Sequence, residues 1–521
     1  SFSPRIFTRI EIQRLIHAVD QFEPSGHAPL RHLVMPEVFR LLYGLWGPAP
    51  ARLVLMQRKL AALPAWLRAS WQSLRPDAKD LDNDKLYSQK WAFSDSEHDR
   101  VGSRFNWRLD DVFTLRGALS YSEYTEEYTY TGPTVYSTGN YTQPLYAFAP
   151  VENEETSGYL FLDAAFATGA IEHKTTLGYQ GNVARVRNYE DHIPYPGPQY
   201  NDVVGTPTPF NQTPQVDKPG YSIGNGDQRL SSRTQSDNFL IGDVITFNEQ
   251  WSSILGLTHT TIKTYSNDFI WAEAFGYGET SSDYKESETS PNVSLIYKPV
   301  PWLTTYASYI EGLQAGGIAP STALNAGQAM APLVSEQYEI GVKATVGETL
   351  LTLALFNIDK PNTYTNGAGM FVQDGRQENN GLEFGITGKV LPELTLVGGV
   401  TLLDPQVKDS GAATSEGQKP TDVASQLAKL YAEYDINAVP GLALTGGTYY
   451  TGKQYSDEAN QHSLPSFTTF DAGARYRAQL SSDNTLNLIT NISNLANKEY
   501  WLSSHYLGAP RTLTFSAQLE F

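Results

Sequence analysis

Polar and apolar residues alternate along most of the chain after residue 100. Val101, Phe105 and Trp107 occupy positions of one parity near the start of this region, and Arg104 and Asn106 occupy positions of the other. Alternation with a period of two predicts β-strands whose two faces meet different surroundings. The pattern predicts seventeen strands, near residues 100–109, 113–123, 157–166, 170–182, 237–247, 251–265, 290–298, 302–311, 335–344, 349–359, 380–389, 393–403, 426–436, 441–451, 467–478, 484–493 and 510–521.

The lengths of these segments and of the connections between them are typical of a membrane barrel. Most segments have about ten residues, which is the length that a tilted strand needs to cross a bilayer. Connections at one end are short, such as 110–112 and 248–250. Those at the other end are long: 124–156, 183–236, 266–289, 312–334, 404–425 and 452–466. Short turns at one rim and long loops at the other predict a transmembrane antiparallel β-barrel.

The two faces of the predicted strands differ in polarity. One face is apolar and carries Tyr, Trp and Phe near the strand ends, as expected where a barrel meets the two membrane interfaces. The other face carries charged residues, which suits a wet lumen better than a packed core. These residues are Arg104, Arg116, Lys174, Glu339, Lys343, Glu383 and Arg475. A soluble β-sandwich or propeller is the alternative, but soluble strands average only about five to six residues.

The composition excludes several classes of protein and divides the chain in two. The 521 residues include no Cys, which excludes disulfide scaffolds, thiolate metal sites and cysteine nucleophiles. The net charge of −18 argues against a nucleic-acid partner. The sequence contains no run of about 18 consecutive apolar residues, so no membrane-spanning helix is predicted. The net charge is +5 over residues 1–80 and −23 over residues 81–521, and 30 of the 31 Tyr lie in the second region.

The region 1–80 is predicted to be an atypical, partly helical segment. Leu, Ala, Arg and Pro make up 38 of its 80 residues, and residues 6–22 and 52–73 have helical spacing. One interpretation is a helix on the membrane surface, where Trp66 and Trp71 lie beside basic residues. We favour a second interpretation, in which a frameshift or gene rearrangement has replaced about five strands with an out-of-frame translation.

Several stretches of the second region resemble a known family. They are SPNVSLIYKPVPWLTTYASY (290–309), EQYEIGVK (336–343) with LTLALFNI (351–358), NGLEFGITG (380–388), and NISNLANKEY (491–500) with GAPRT (508–512). In this order, over roughly residues 84–521, they are similar to the C-terminal barrel of TonB-dependent siderophore receptors. The resemblance assigns residues 81–521 to that barrel.

The resemblance implies a receptor that imports ferric siderophores across the outer membrane of a Gram-negative bacterium. The ligand would bind in an extracellular vestibule, while the TonB energy-transducing complex acts on a plug inside a monomeric barrel of 22 strands. The terminal Phe521 is similar to the signal that the outer-membrane assembly machinery recognises. The seventeen predicted strands would match the last 17 of the 22. No plug-like sequence and no box for the energy transducer is recognised, so the resemblance implies a truncated member.

Aromatic residues of the predicted long loops are the candidate ligand site. Aromatic faces and hydroxyl groups suit a flat, partly apolar ferric chelate, and Arg185 and Arg187 are possible cations for its negative charge. The aromatic candidates are Tyr124, Tyr128, Tyr136 and Tyr141 in the first long loop, Tyr189 and Tyr195 in the second, Trp271 in the third and Trp501 in the last. The alternative is that many of these rings serve only the interfacial girdle and loop packing.

Other motifs indicate neither an enzyme nor a resident cofactor. The stretch 220–224 (GYSIG) matches a nucleophile elbow, but it lies in the longest loop without the strand and helix that this motif requires. The nine His residues show no ligand spacing that predicts a metal site. The sequence therefore predicts a non-catalytic receptor of the outer membrane, with a passive porin-like channel as the alternative. The loop aromatics fit catecholate, hydroxamate and mixed chelates alike.

Overall fold

The computed structural model describes the chain from residue 78 to residue 520. Within this range the residues at 84, 132–133, 136–139, 144, 190–207, 210–213, 219–226, 270–271, 273–277, 321, 413 and 482–483 are not described. The predicted helices at 6–22 and 52–73 and the terminal Phe521 lie outside the described residues. No helix among the described residues is long and apolar enough to cross a membrane.

Seventeen strands form one antiparallel sheet in which each strand pairs with the next along the chain. This arrangement confirms the predicted barrel fold, and each predicted segment coincides with one observed strand. The strands are β1 Phe93–Arg108, β2 Phe113–Thr131, β3 Leu145–Thr168, β4 Ile171–Tyr189, β5 Gln228–Thr246, β6 Trp251–Asn267, β7 Ser281–Val300, β8 Leu303–Gln314, β9 Leu333–Val346, β10 Glu348–Thr365, β11 Phe371–Leu391, β12 Leu394–Lys408, β13 Gln426–Asp435, β14 Leu442–Thr451, β15 Phe467–Gln479, β16 Thr485–Ser493 and β17 Thr512–Glu520.

Several strands are longer than the sequence predicts. Their lengths range from 9 to 24 residues, and most of the extra residues lie at the end where the connections are long, which we call the long-connection rim. The pairing of β2 with β3 continues through a bulge near Glu126 up to Thr131 opposite Leu145. The predicted loop 124–156 is therefore wrong over most of its length. Near the long-connection rim, polar and apolar residues no longer alternate clearly along the strands, but the strands remain paired by backbone hydrogen bonds.

Short turns join the strands at the opposite, short-turn rim. The Asp110 side chain closes the β1–β2 turn, because its Oδ1 accepts hydrogen bonds from the backbone N–H groups of Val112 (2.8 Å) and Phe113 (2.7 Å). These donors, that of Phe113 above all, hold the pKa of Asp110 below its usual value. Asn248 closes the β5–β6 turn in the same way, by accepting from Gln250 and Trp251 at 2.9 Å each. Side chains that accept from the backbone two and three residues ahead are a common way to fix a tight turn.

The two faces of the sheet have the polarity that the alternation predicts. The outward face exposes large apolar side chains such as Leu177, Phe239 and Leu355. Exposed aromatic rings border this face at both rims, with Trp107 and Trp302 near the short turns and Tyr338 on the other side. The opposite, luminal face carries ion pairs: Arg116 with Asp163, and Arg475 with Glu433.

The first and last strands are the edges of the sheet. Within the described part of the chain no pairing joins β1 to β17, and both strands run from the long-connection rim to the short-turn rim. The segment before β1 approaches both ends of the sheet at the long-connection rim. Asn83 Nδ2 donates to the Gly508 carbonyl oxygen before β17 (3.4 Å), and the backbone N–H of Gln89 donates to Thr131 Oγ1 at the end of β2 (3.2 Å).

Short strands occupy some of the long connections. Thr134–Val135, Asn140–Thr142 and Thr208–Pro209 form a three-stranded sheet that links the first two long connections. Gln454–Tyr455 pairs with Ser463–Leu464 in the connection between β14 and β15. A single 3₁₀ turn, Ala78–Asp80, begins the described region. These elements place ordered backbone above the barrel wall.

Candidate ligand-binding wall

A cavity of about 410 Å³ lies against the luminal face of β1–β4, toward the long-connection rim. Its volume falls within the range of small-molecule sites. Side chains at alternate positions of a strand face the lumen, and we say that these positions have luminal parity. Ten of the lining residues have luminal parity: His98, Arg100, Ser120, Ser122, Tyr124, Asn153, Glu155, Ser157, Ala184 and Val186. The other two, Glu154 and Arg185, alternate with these and have the outward parity.

The cavity combines an aromatic surface with a cation and amide and hydroxyl groups. His98 stands directly opposite Tyr124, and its ring meets the tyrosine ring edge-on at 6.0 Å between centroids. Asn153 Nδ2 donates to the Tyr124 carbonyl oxygen at 3.3 Å, which fixes the neighbouring strand. Arg100 is exposed and has no hydrogen bond or ion pair with any residue that the structure describes. Its guanidinium group is therefore available to an anionic or strongly polar ligand.

Tyr124 and Tyr128 lie on the luminal face of β2 and not in the loop that the sequence predicts. Both residues share the parity of Arg116, which faces the lumen. The Tyr128 ring lies 4.5 Å from the ring of the fully buried Phe148, at an angle of 32°. Strand geometry holds Tyr124 at the cavity, whereas Tyr128 packs against β3 closer to the rim.

Arg185 and Arg187 also lie on a strand, β4, so the loop location predicted for them is wrong. Both have the parity of Leu177 and Tyr179, whose side chains belong to the outward face. Each guanidinium approaches the Glu154 carboxylate, at 4.0 and 3.9 Å respectively. Strand alternation assigns both residues to the outward side, but Arg185 still contributes to the lining of the cavity, whereas Arg187 does not. Among the lining residues, Arg100 is the arginine with luminal parity.

The remaining candidates fall elsewhere in the chain. Tyr189 is the last residue of β4, opposite Gln228, and Trp501 bridges to Leu507 in the last long connection. Neither lines the cavity. The side chain of Tyr141, the residues Tyr136, Tyr195 and Trp271, and the stretch 220–224 lie outside the described residues.

The connection that holds Trp271 is anchored at its ends. Arg229 Nη2 and Asn267 Nδ2 both donate to Glu279 Oε1 at 2.7 Å, and the arginine in particular holds the pKa of this carboxyl below its usual value. Arg229 also lies over the Phe269 ring at 4.5 Å. Arg229 is thus part of a structural clasp between β5 and the β6–β7 connection.

The sequence prediction missed His98, Arg100 and Asn153. The predicted β1 begins at residue 100, so His98 fell before it, and Asn153 fell in a predicted loop. A usable signal was present, since His98 and Arg100 share the parity of Arg104 and Asn106. The described residues include no group of three or more Asp, Glu or His side chains that could hold a metal ion.

The fold and the two faces of the sheet together define a class of protein. A meander of seventeen antiparallel strands with an apolar outward face, a charged luminal face and its long connections at one rim is typical of the wall of a large membrane β-barrel. Residues 55–495 match the family described as TonB dependent receptor-like, beta-barrel, and the chain belongs to this family. Members of this family are outer-membrane proteins of Gram-negative bacteria.

Individual relatives show the same relationship. The chain is 28% identical over 460 residues to the ferrichrome receptor FcuA of Yersinia enterocolitica, covering 84% of this chain and 57% of that protein. It is 25% identical to the ferrichrome outer membrane transporter/phage receptor of Escherichia coli K12, covering 86% of this chain and 61% of that protein. The crystal structure of BauA, the ferric preacinetobactin receptor of Acinetobacter baumannii, has a TM-score of 0.73 and 28% identity, covering 86% and 65% of the two chains. The chain therefore spans less than two thirds of each relative.

Proposed function

We propose that this chain forms the ligand-binding wall of an outer-membrane receptor for ferric siderophores, which the TonB system energises in the whole protein. The observation that carries the proposal is the luminal cavity at β1–β4, where Tyr124, His98 and Arg100 meet and where Arg100 has no partner among the described residues. The named relatives support it, because they are receptors for ferrichrome and for ferric preacinetobactin. The proposed partners are the siderophore, the TonB complex, the outer-membrane assembly machinery and the lipid bilayer.

The chemistry of the cavity suits a ferric chelate. The Tyr124 ring offers an apolar face to the organic scaffold of a siderophore. Arg100 offers five N–H donors in a planar fork, which suits the oxygen atoms that surround the iron. Asn153 and the hydroxyl groups of Ser120 and Ser122 supply further hydrogen-bonding groups at the cavity. No covalent chemistry is required, so the proposed role is binding and transfer, without catalysis.

The alternative of a passive porin-like channel has weaker support. A charged luminal face would suit a water-filled channel, but the relatives named above are receptors. Conductance in planar bilayers distinguishes the two functions. The receptor proposal predicts no steady, ligand-independent ion flow.

Equilibrium binding tests the proposal directly. The full chain, folded in detergent micelles, is titrated with ferric hydroxamate, ferric catecholate and mixed chelates while tryptophan fluorescence is recorded. We expect saturable quenching by at least one chelate. Arg100→Gln and Tyr124→Ala should each weaken that binding about tenfold, which corresponds to roughly 1.4 kcal/mol.

The matched control is Arg187→Gln, which removes the same charge from the outward face of β4. It should bind as tightly as the wild type. Equal weakening by Arg100→Gln and Arg187→Gln, or no saturable binding of any chelate, would contradict the proposal.

A further inference from the structure

The luminal cavity presents a carboxylate as well as an arginine. Arg100 on β1, Ser122 on β2 and Glu155 on β3 stand in one row of the sheet, because Ser122 lies opposite both of the other residues. All three have luminal parity and line the cavity. Neighbouring strands are about 4.8 Å apart, so the backbone positions of the arginine and the glutamate are about 10 Å apart. The two opposite charges therefore face the same space without lying side by side.

Glu155 has no cation of its own in the part of the chain that the structure describes. The residue is exposed, and it forms no hydrogen bond or ion pair with a described residue. Its neighbour Glu154 differs, because Arg185 and Arg187 approach that carboxylate at 4.0 and 3.9 Å. Of the two glutamates that line the cavity, Glu155 is therefore the one whose carboxylate is available to a positively charged group of a ligand.

The luminal charges around this row are separated by strand. Arg104 is the next charged residue of luminal parity on β1, toward the short-turn rim. Glu126 is the next such residue on β2, toward the long-connection rim. Arg116 on β2 is neutralised by its ion pair with Asp163 on β3. The available cations thus lie on β1 and the carboxylates on β2 and β3, so a complementary ligand has an electronegative side and a positively charged side.

Ferric siderophores differ in net charge. Three hydroxamate groups, each with a single negative charge, neutralise iron(III), whereas three catecholate groups leave three negative charges on the complex. A hydroxamate chelate that ends in a primary amine therefore carries only the positive charge of its ammonium group, because such an amine is protonated at neutral pH. This chelate matches the wall, since its hydroxamate oxygens accept hydrogen bonds from Arg100 and its ammonium group donates to Glu155.

We propose that Glu155 binds a protonated primary amine of the siderophore, so that this site prefers ferric hydroxamate chelates with a terminal ammonium group. The inference rests on the proposed function, because it names the ligand class of the same cavity. Glu155 determines specificity, whereas Arg100 and Tyr124 are contacts that every chelate shares. A ferric tris-catecholate would meet the carboxylates of Glu126 and Glu155 with its own negative charge, and this repulsion disfavours it.

A matched pair of ligands tests the proposal. One is the iron(III) complex of a linear trihydroxamate that ends in a primary amine, and the other is the same complex with that amine acetylated. Acetylation removes the positive charge and leaves the iron centre unchanged. The full chain, folded in detergent micelles, is titrated with each complex while tryptophan fluorescence is recorded, and the fold of every variant is checked by heat-modifiable gel mobility.

We expect the wild type to bind the amine form about tenfold more tightly than the acetylated form, and to show a smaller preference at high salt. Glu155→Gln should bind the amine form about tenfold more weakly than the wild type and the acetylated form equally well, so that the preference disappears. The conservative Glu155→Asp should keep part of the preference. The control is Glu152→Gln, which removes the same charge from β3 at a position of outward parity that does not line the cavity, and it should keep the wild-type preference.

The outcomes separate this inference from the proposed function. Equal affinity of the wild type for the two forms, an undiminished preference in Glu155→Gln, or equal losses in Glu155→Gln and Glu152→Gln would overturn the inference and leave the proposed function intact. Tighter binding of a ferric tris-catecholate than of the amine form would have the same meaning. The lack of saturable binding by any ferric chelate would instead contradict the proposed function, and the inference would fail with it.

Discussion

Gln89 Nε2 donates a hydrogen bond of 2.7 Å to Gln143 Oε1, and both side chains are fully buried. The Gln89 amide group also donates to the Pro214 carbonyl oxygen (2.9 Å) and accepts from the Val216 backbone N–H (2.9 Å). The side chain of one residue before β1 thus joins the first long connection to the described segment 214–218 of the second. Buried amides with complete hydrogen bonding of this kind specify a single loop arrangement.

Replacing Gln89 should release the segment 214–218. Gln89→Ala removes the donor to the buried Gln143 amide oxygen, and an unsatisfied buried group costs about 1–3 kcal/mol. The variant also removes the bonds to the half-buried Pro214 carbonyl and to the N–H of the exposed Val216. We expect hydrogen exchange at residues 214–218 to become at least tenfold faster. The control is Gln215→Ala, because Gln215 is exposed and its bonds to Lys90 N and Ser88 O lie at the surface. Unchanged exchange in Gln89→Ala would refute this account.

Acid should loosen the β1–β2 turn and spare the β5–β6 turn. The pKa of Asp110 is lowered by the backbone N–H groups of Phe113 and Val112, so the charged form stabilises the folded turn. That contribution is present above the ordinary pKa of Asp, about 3.9, and is lost as pH falls through the lowered pKa of the folded state. We expect the amides of Val112 and Phe113 to lose protection in that acid range.

Asn248 is a built-in control for the acid effect, because it makes the same two bonds without a titratable group. Protection of the amides of Gln250 and Trp251, corrected for the intrinsic pH dependence of exchange, should stay constant. The variant Asp110→Asn should remove the pH dependence from the β1–β2 turn. A parallel loss of protection in both turns would show that the aspartate is not the cause.

Gly508, in the stretch 508–512, is required by the packing of Tyr500. The Tyr500 ring stacks on Phe467 at 4.0 Å between centroids, and a Cβ atom at Gly508 would lie 2.2 Å from the same ring. Gly508→Ala should therefore displace the ring and destabilise the last long connection by about 1–3 kcal/mol. Thermal unfolding, followed by heat-modifiable mobility, measures the loss. Gly446→Ala is the control, since its Cβ would meet nothing closer than 3.8 Å, and an equal effect of the two variants would contradict the packing argument.

The sequence predicted the number and order of the strands because one face of the sheet meets lipid and the other meets the lumen. Apolar and polar residues therefore alternate along the membrane-spanning part of each strand. The sequence did not predict the length of the strands beyond that part, where both faces meet polar surroundings. Residues 145–156 show the difference, since they form half of β3 yet were interpreted as a loop. Their pairing with β2 is decided by the partner strand and by a bulge, which no local pattern reveals.

The same limit explains the mixed result at the candidate site. The aromatic ring of Tyr124 makes it a candidate, and Tyr124 does line the cavity, although it lies on a strand and not in a loop. The charge of Arg185 and Arg187 makes them candidates, but parity counted from Leu177 assigns both to the outward face, and only Arg185 also contributes to the cavity lining. A residue assigned to a loop has no predicted parity, which is why the outward parity of Arg185 and Arg187 was not foreseen. Arg100 begins the first predicted strand, but the sequence prediction took its candidates for the ligand site from the long loops.

The most direct test of a luminal siderophore site uses two consecutive residues of β2. Ser122 lines the cavity, and Glu123 has the opposite parity. Because the chain has no Cys, Ser122→Cys and Glu123→Cys each introduce a single thiol for labelling with a polar maleimide. The account predicts that a saturating ferric siderophore from the hydroxamate, catecholate and mixed classes slows labelling of Ser122→Cys at least tenfold and leaves Glu123→Cys unchanged. Equal protection at both positions, or no protection of Ser122→Cys by any of the three classes, would contradict it.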